Sequence, residues 1–147
     1  MNVKRFRIVQ VGSGRDRRAI QVEVYQSQEE IMFAIDTSIE RCTEILDTID
    51  GMVLDDFLMD KKAMKSVAMD MLSIGNFMKE MPGEILAFAP QLEQAYGFRC
   101  IIAHDYGNTN FDYPTLWDAA THDVKPMMDA LLRARNVILR EGIRFQD

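Results

Sequence analysis

The stretch Arg99-Cys100-Ile101-Ile102-Ala103-His104-Asp105-Tyr106 holds the side chains best suited to chemistry. A guanidinium stays charged and offers a planar fork of donors that matches phosphate oxygens. An imidazole takes or gives a proton near neutral pH. Together they are what a protein would use to cleave a phosphodiester without a metal. At about 100° per residue, an ideal helix puts Arg99 and Tyr106 within roughly 20° of each other and His104 about 140° from Arg99. A site that uses all three therefore needs the helix to fray near His104, or a second chain to close it. Gly107 and Asn108 follow as helix-stop residues and favour the frayed end. The plainer alternative is a core helix that carries one capping histidine.

The elements that must position these groups are mostly helical. Ile31, Ile35, Ile39, Cys42, Ile45, Leu46 and Ile49 form one apolar stripe from Gln28 to a stop at Gly51. A short turn at Asp55–Met59 follows, and Asp60 can cap a second long helix through Lys79. That helix carries Met64, Val67, Ala68, Met71, Leu72, Gly75 and Met78 on its stripe. The small Ala68 and Gly75 would let another helix come close. Pro82-Gly83 breaks the pattern, and Pro90 opens the helix that carries Arg99 and His104. Asp112 starts a helix with Leu116, Trp117 and Ala120, and Asp123 can cap the last one, with Pro126 in its first turn. The predicted body is an all-α up-down bundle of four main helices. Its many methionines read as core filling.

The first 28 residues differ from the rest. Val3 to Val11 and Ala19 to Tyr25 read as two strands around a Gly12-to-Arg18 turn, a short N-terminal β-hairpin ahead of a helical domain at residues 29–147. The glycines here do not complete a nucleotide fingerprint, because Arg17 stands where the third is needed. This extension carries a charge of +4 and the remainder −10, for a net −6. The acidic total counts against a general nucleic-acid binder. Lys4, Arg5, Arg15, Arg17 and Arg18 are candidates for touching RNA phosphates or a partner. The other expectation, and the one favoured, is a solvated extension. A lone hairpin is marginal in water, so an ordered one must pack on the helices or pair with another chain.

No apolar run approaches the ~20 residues of a membrane span, and no signal peptide is recognisable. Cys42 and Cys100 are too few and too far apart for a disulfide framework and read as reduced core thiols. A cytoplasmic location is expected. No cofactor and no metal site is expected, since no Cys, His, Asp or Glu spacing suggests one.

Taken together, residues ~29–140 resemble the HEPN superfamily, in particular the HepT-like toxins, four-helix bundles with an Arg-x4-His-x-Tyr signature before a loop. Arg99, His104 and Tyr106 carry the resemblance. Asp56-Phe57-Leu58-Met59-Asp60, Ser73-Ile74-Gly75 and Leu116-Trp117-Asp118 support it. The chain departs from the pattern at Cys100, where an asparagine is usual, at Asn76, where a glutamate is common, and at Pro90-Gln91, where Pro-Trp is usual. The hairpin is not part of the pattern.

The resemblance implies a homodimeric, metal-independent endoribonuclease toxin of a type VII toxin–antitoxin system. Its partner would be an MntA-like nucleotidyltransferase antitoxin that attaches AMP to the motif tyrosine, here Tyr106. Arg99 and His104 would be catalytic. Asp105 could orient His104 or face solvent. The rival reading is an inert HEPN module that binds a nucleotide or a nucleotidyltransferase. A further alternative is a structural dimer in which Arg99 and His104 only make interface hydrogen bonds. His122 reads as a cap or surface residue.

Overall fold

The computed structural model describes residues 4–12, 14–105 and 111–143. Four long helices, α1 (Gln28–Ile49), α3 (Lys61–Lys79), α5 (Pro90–Asp105) and α7 (Val124–Glu141), form the bundle. Three short ones join them: α2 (Leu54–Met59), α4 (Gly83–Leu86) and α6 (Tyr113–His122). α3 packs between α1 and α5, and α7 closes against α1 and α5.

The helix starts follow from side-chain capping of otherwise unpaired N–H groups. Ser27 Oγ accepts from the Glu30 amide at 3.1 Å, and Asp60 Oδ1 from Ala63 at 3.0 Å. Asp112 Oδ1 does the same for Thr115 at 3.0 Å. Asp123 was expected to cap α7, and here the structure corrects the sequence. Its backbone is already helical (φ −106°, ψ −28°), and its side chain makes no capping bond. α6 runs almost directly into α7, so Asp123 never takes the extended geometry that a capping side chain needs.

The apolar stripes meet in one core. Ile31, Ile35, Ile45, Ile74, Leu92, Ile102, Leu116 and Leu131 are closed to solvent, as are Met78, Met81 and Met127. Phe57 of α2 packs on Trp117 of α6 with ring centroids 5.2 Å apart. Met59 and Met69 are exposed, so not every methionine fills the core. No helix is long and apolar enough to cross a membrane among the described residues.

One acid is buried among the apolar residues. Asp70, on α3, is 8% exposed. Its carboxyl is pushed up to about 7, chiefly by burial and then by a hydrogen bond and repulsion from Glu44, with Arg41 pulling the other way. Asp70 Oδ2 and the enclosed Ser38 Oγ have no hydrogen-bond partner among the described residues. The Cys42 thiol beside them is pushed up to about 12, by burial first and the Asp70 charge second.

The N-terminal residues form an antiparallel pair, β1 (Phe6–Val11) and β2 (Arg18–Glu23), in register from Phe6↔Glu23 to Val11↔Arg18. It is not a solvated extension. Val9 and Val22 are buried against Tyr96 of α5, and Val11, Ile20 and Cys100 pack around them. Arg7 Nη2 donates to the carbonyls of Met78 and Lys79 at 2.6 and 2.7 Å, satisfying the open end of α3. The Tyr25 amide donates to Glu80 O at 2.8 Å. The alternating apolar residues of the strands have a second surface to bury against, and that surface is α5.

Candidate active site

Arg99 is placed by α3. Gly75 lies directly beneath it: a Cβ there would collide with Arg99 Cβ and sit 2.7 Å from Ala95 O. The missing side chain lets α3 and α5 approach until Asn76, the next residue, reaches the guanidinium. Arg99 Nε donates to Asn76 Oδ1 at 2.7 Å. That bond fixes one edge of the guanidinium and leaves both Nη groups without another partner among the described residues. A planar fork held by its Nε edge presents the two Nη groups to an anion.

His104 is one residue from the end of α5, which stays helical through Asp105. The helix therefore does not fray before His104. Its side chain is 87% exposed, and its Nδ1 lies 2.7 Å from Asp105 Oδ1. When Nδ1 carries the proton in that pair, Nε2 is the basic nitrogen. Asp105 thus pairs with the imidazole instead of only facing solvent, the outcome that the sequence left open.

The two candidate catalytic groups face different neighbours within one chain. Arg99 is turned to α3, whereas His104 lines a groove between α5 and the hairpin, as the helical wheel requires. The groove encloses ≈680 Å³. Gln10, Val11 and Asp16 line its hairpin side, and Gly97, Cys100, Ile101 and His104 its helix side. Cys100 is half-buried, a lining and packing residue more than a core thiol.

Tyr106 lies outside the described residues. Arg15, Arg17 and Arg18 are exposed at the hairpin turn, and Lys4 is exposed at its start. Arg5 is half-buried, and its carbonyl accepts from the Val24 amide at 3.0 Å. His122 is exposed, with Nδ1 3.0 Å from Asp118 O and 3.1 Å from Thr121 Oγ1, a local end-of-helix contact. Among the described residues no three His, Cys, Asp or Glu side chains stand together as a metal site would require.

Residues 35–134 match the family model described as "Ribonuclease HepT-like". The chain belongs to the HepT-like ribonuclease family. No curated protein and no solved structure matches it. The HepT-like span begins within α1, ends within α7 and contains Arg99 with its neighbours Gly75 and Asn76, and His104. The ribonuclease assignment rests on this match. The hairpin lies outside the HepT-like span, so the groove beside His104 has one wall from the family fold and one from this chain's N-terminal extension. Asn76 was noted in the sequence only as a departure from the family pattern. Its place next to Gly75, the one position where α3 must approach α5 without a side chain, was the available signal for its contact.

Proposed function

We propose that this HepT-like ribonuclease cuts RNA by attack of the 2′-OH on the adjacent phosphate, with Arg99 and His104 as the catalytic groups. The observation that carries this reading is the pairing of Arg99 with Asn76, with an exposed His104 five residues further along the same helix. RNA supplies its own nucleophile. One imidazole removes the 2′-OH proton, the oxygen attacks phosphorus and the P–O5′ bond breaks. An imidazolium returns a proton to the leaving 5′-oxygen. The products are a 2′,3′-cyclic phosphate and a 5′-hydroxyl. Arg99 neutralises the charge that grows on the phosphate oxygens as the centre becomes five-coordinate.

A single histidine cannot be base and acid in the same turnover, and within one chain Arg99 and His104 face different neighbours. A homodimer with α5 near its two-fold axis resolves both points, since each site then draws on two copies of the motif. Exposed Ile101, 53% accessible on α5, supports such a face. In this reading the protein is the toxin of a type VII pair that acts in the cytoplasm. An MntA-like nucleotidyltransferase would silence it: the Tyr106 hydroxyl attacks the α-phosphate of ATP, pyrophosphate leaves, and the attached AMP blocks the cleft by bulk and charge.

Incubating purified protein with single-stranded RNA in EDTA tests the reading. Fragments ending in 2′,3′-cyclic phosphate are expected. An intact, folded dimer that binds RNA or nucleotide yet leaves every linkage whole would favour the inert-module alternative.

A further inference from the structure

We propose that the groove between the hairpin and α5 is a nucleobase pocket that selects guanine next to the cleaved linkage. This rests on the ribonuclease reading above and names what the same site recognises. His104 forms part of the groove, so a base next to a linkage attacked by His104 has space within it. The groove's volume, ≈680 Å³, suits one nucleoside.

The lining decides between a base and a phosphate. Asp16 and Asp105 are among the lining residues, with Asp105 paired to His104, and none of the described lining residues is Lys or Arg. A phosphate would be repelled by Asp16 on the hairpin side of the groove, while a neutral heterocycle with N–H donors would not. Guanine's pairing edge carries ring N1–H and the exocyclic amine side by side, a spacing that one carboxylate can accept from with both oxygens. Among the described residues the side chains of Asp16 and Gln10 make no hydrogen bond of their own, so both are available to a ligand. Val11 supplies an apolar face for a flat ring. Nothing lies within 4 Å of where a Cβ at Gly97 would be, which leaves the helix surface open beneath that ring.

The wall is built to hold position. Gly12 has φ +82°, and a Cβ on it would sit 2.5 Å from Asp16 O, so the turn closes tightly on the residue that would read the base. Arg7 and the Val9–Val22–Tyr96 contact lock the hairpin to the bundle. The exposed Arg15, Arg17 and Arg18 flank the turn, where the RNA backbone would run on either side of the bound base.

The test uses two 2′-O-methyl hexanucleotides, which cannot be cut: one of uridine only and one with a single guanosine. Wild-type protein is expected to bind the guanosine strand about tenfold more tightly. Asp16→Asn should remove the difference, and Gly97→Leu should weaken binding of both strands with the melting temperature not lowered. Equal affinity of the two strands for wild type, or a preference that survives Asp16→Asn, would overturn the pocket. Cleavage of ordinary RNA is scored separately. Cutting without guanine preference defeats the pocket alone, and guanine preference without cutting defeats the catalytic reading alone.

Discussion

Asn76 Oδ1 accepts a 2.7 Å hydrogen bond from Arg99 Nε across a helix contact that only a glycine at position 75 allows. The guanidinium is thereby held in one orientation, at the expense of no charge, because the partner is an amide and not a carboxylate. Asn76→Ala should leave the fold intact and lower the RNA cleavage rate about 10- to 100-fold, the usual penalty for a misplaced catalytic group. Steady-state cleavage with circular dichroism as the folding control checks it. An unchanged rate would show that Arg99 needs no such support.

Gly75→Ala sets two effects against each other. Alanine gains up to about 1 kcal/mol of helix propensity over glycine. The added Cβ, however, collides with Arg99 Cβ and the Ala95 backbone, neither of which can swing away. Overpacking of this kind costs about 1–3 kcal/mol, so a net loss is expected. Thermal melting should show a lower Tm, together with reduced cleavage as Arg99 is displaced.

Arg7 ties the hairpin to the end of α3. Burial lowers the pKa of its guanidinium from the ordinary value, opposed by Glu93 and Tyr96, so the cation is kept there by its contacts. Arg7→Met keeps much of the stem and removes both bonds to the Met78 and Lys79 carbonyls. About 1–3 kcal/mol of stability should go with them. Trypsin should then cut faster at the exposed Arg15, Arg17 and Arg18 while helical circular dichroism is retained. Equal digestion rates would mean that the valine contact alone docks the hairpin.

Asp70 makes stability depend on pH in a defined direction. Its folded-state pKa, about 7, exceeds the ordinary carboxylate value, so between about 4 and 7 the folded chain holds a proton that the unfolded chain has lost. Stability from this group is therefore full at the acid end, falls as pH rises through that window and is flat above it. Asp70→Asn should flatten the slope of Tm against pH from 4 to 7 and raise Tm at pH 8. An unaltered slope would place the titrating group elsewhere.

Much of the fold was legible because its signals are local. Asp60 and Asp112 stand at helix starts with their capping bonds made, and Pro90 opens the helix that carries the motif. The strands were legible from alternation, and the place of Arg99 and His104 on one helix from the breakers on either side, Pro90 before and Gly107-Asn108 after. The docking of the hairpin was not, because Val9, Val22 and Tyr96 meet across more than seventy residues of chain. Asp70 escaped notice for a related reason: a stripe of apolar neighbours marks a helix face, and nothing local tells a buried acid from one at the edge. The Asn76–Arg99 contact joins two helices and became visible only when they were packed. Tyr106 and the Gly107–Asn110 loop lie outside the described residues, so the expectation of an AMP-accepting tyrosine stands as a proposal.

The central claim is that Arg99 and His104 act on one phosphodiester. The most direct measurement is the rate of RNA cleavage in EDTA by Arg99→Ala and His104→Ala, each first shown by light scattering to keep the oligomeric state of the parent. Both side chains are at least partly exposed, so neither change should unfold the bundle. The account predicts that each substitution lowers the rate by about 100-fold or more, through lost acid–base help at His104 (~10²–10⁴) and lost charge stabilisation at Arg99 (~10²–10³). Parental cleavage by either well-folded variant would contradict it.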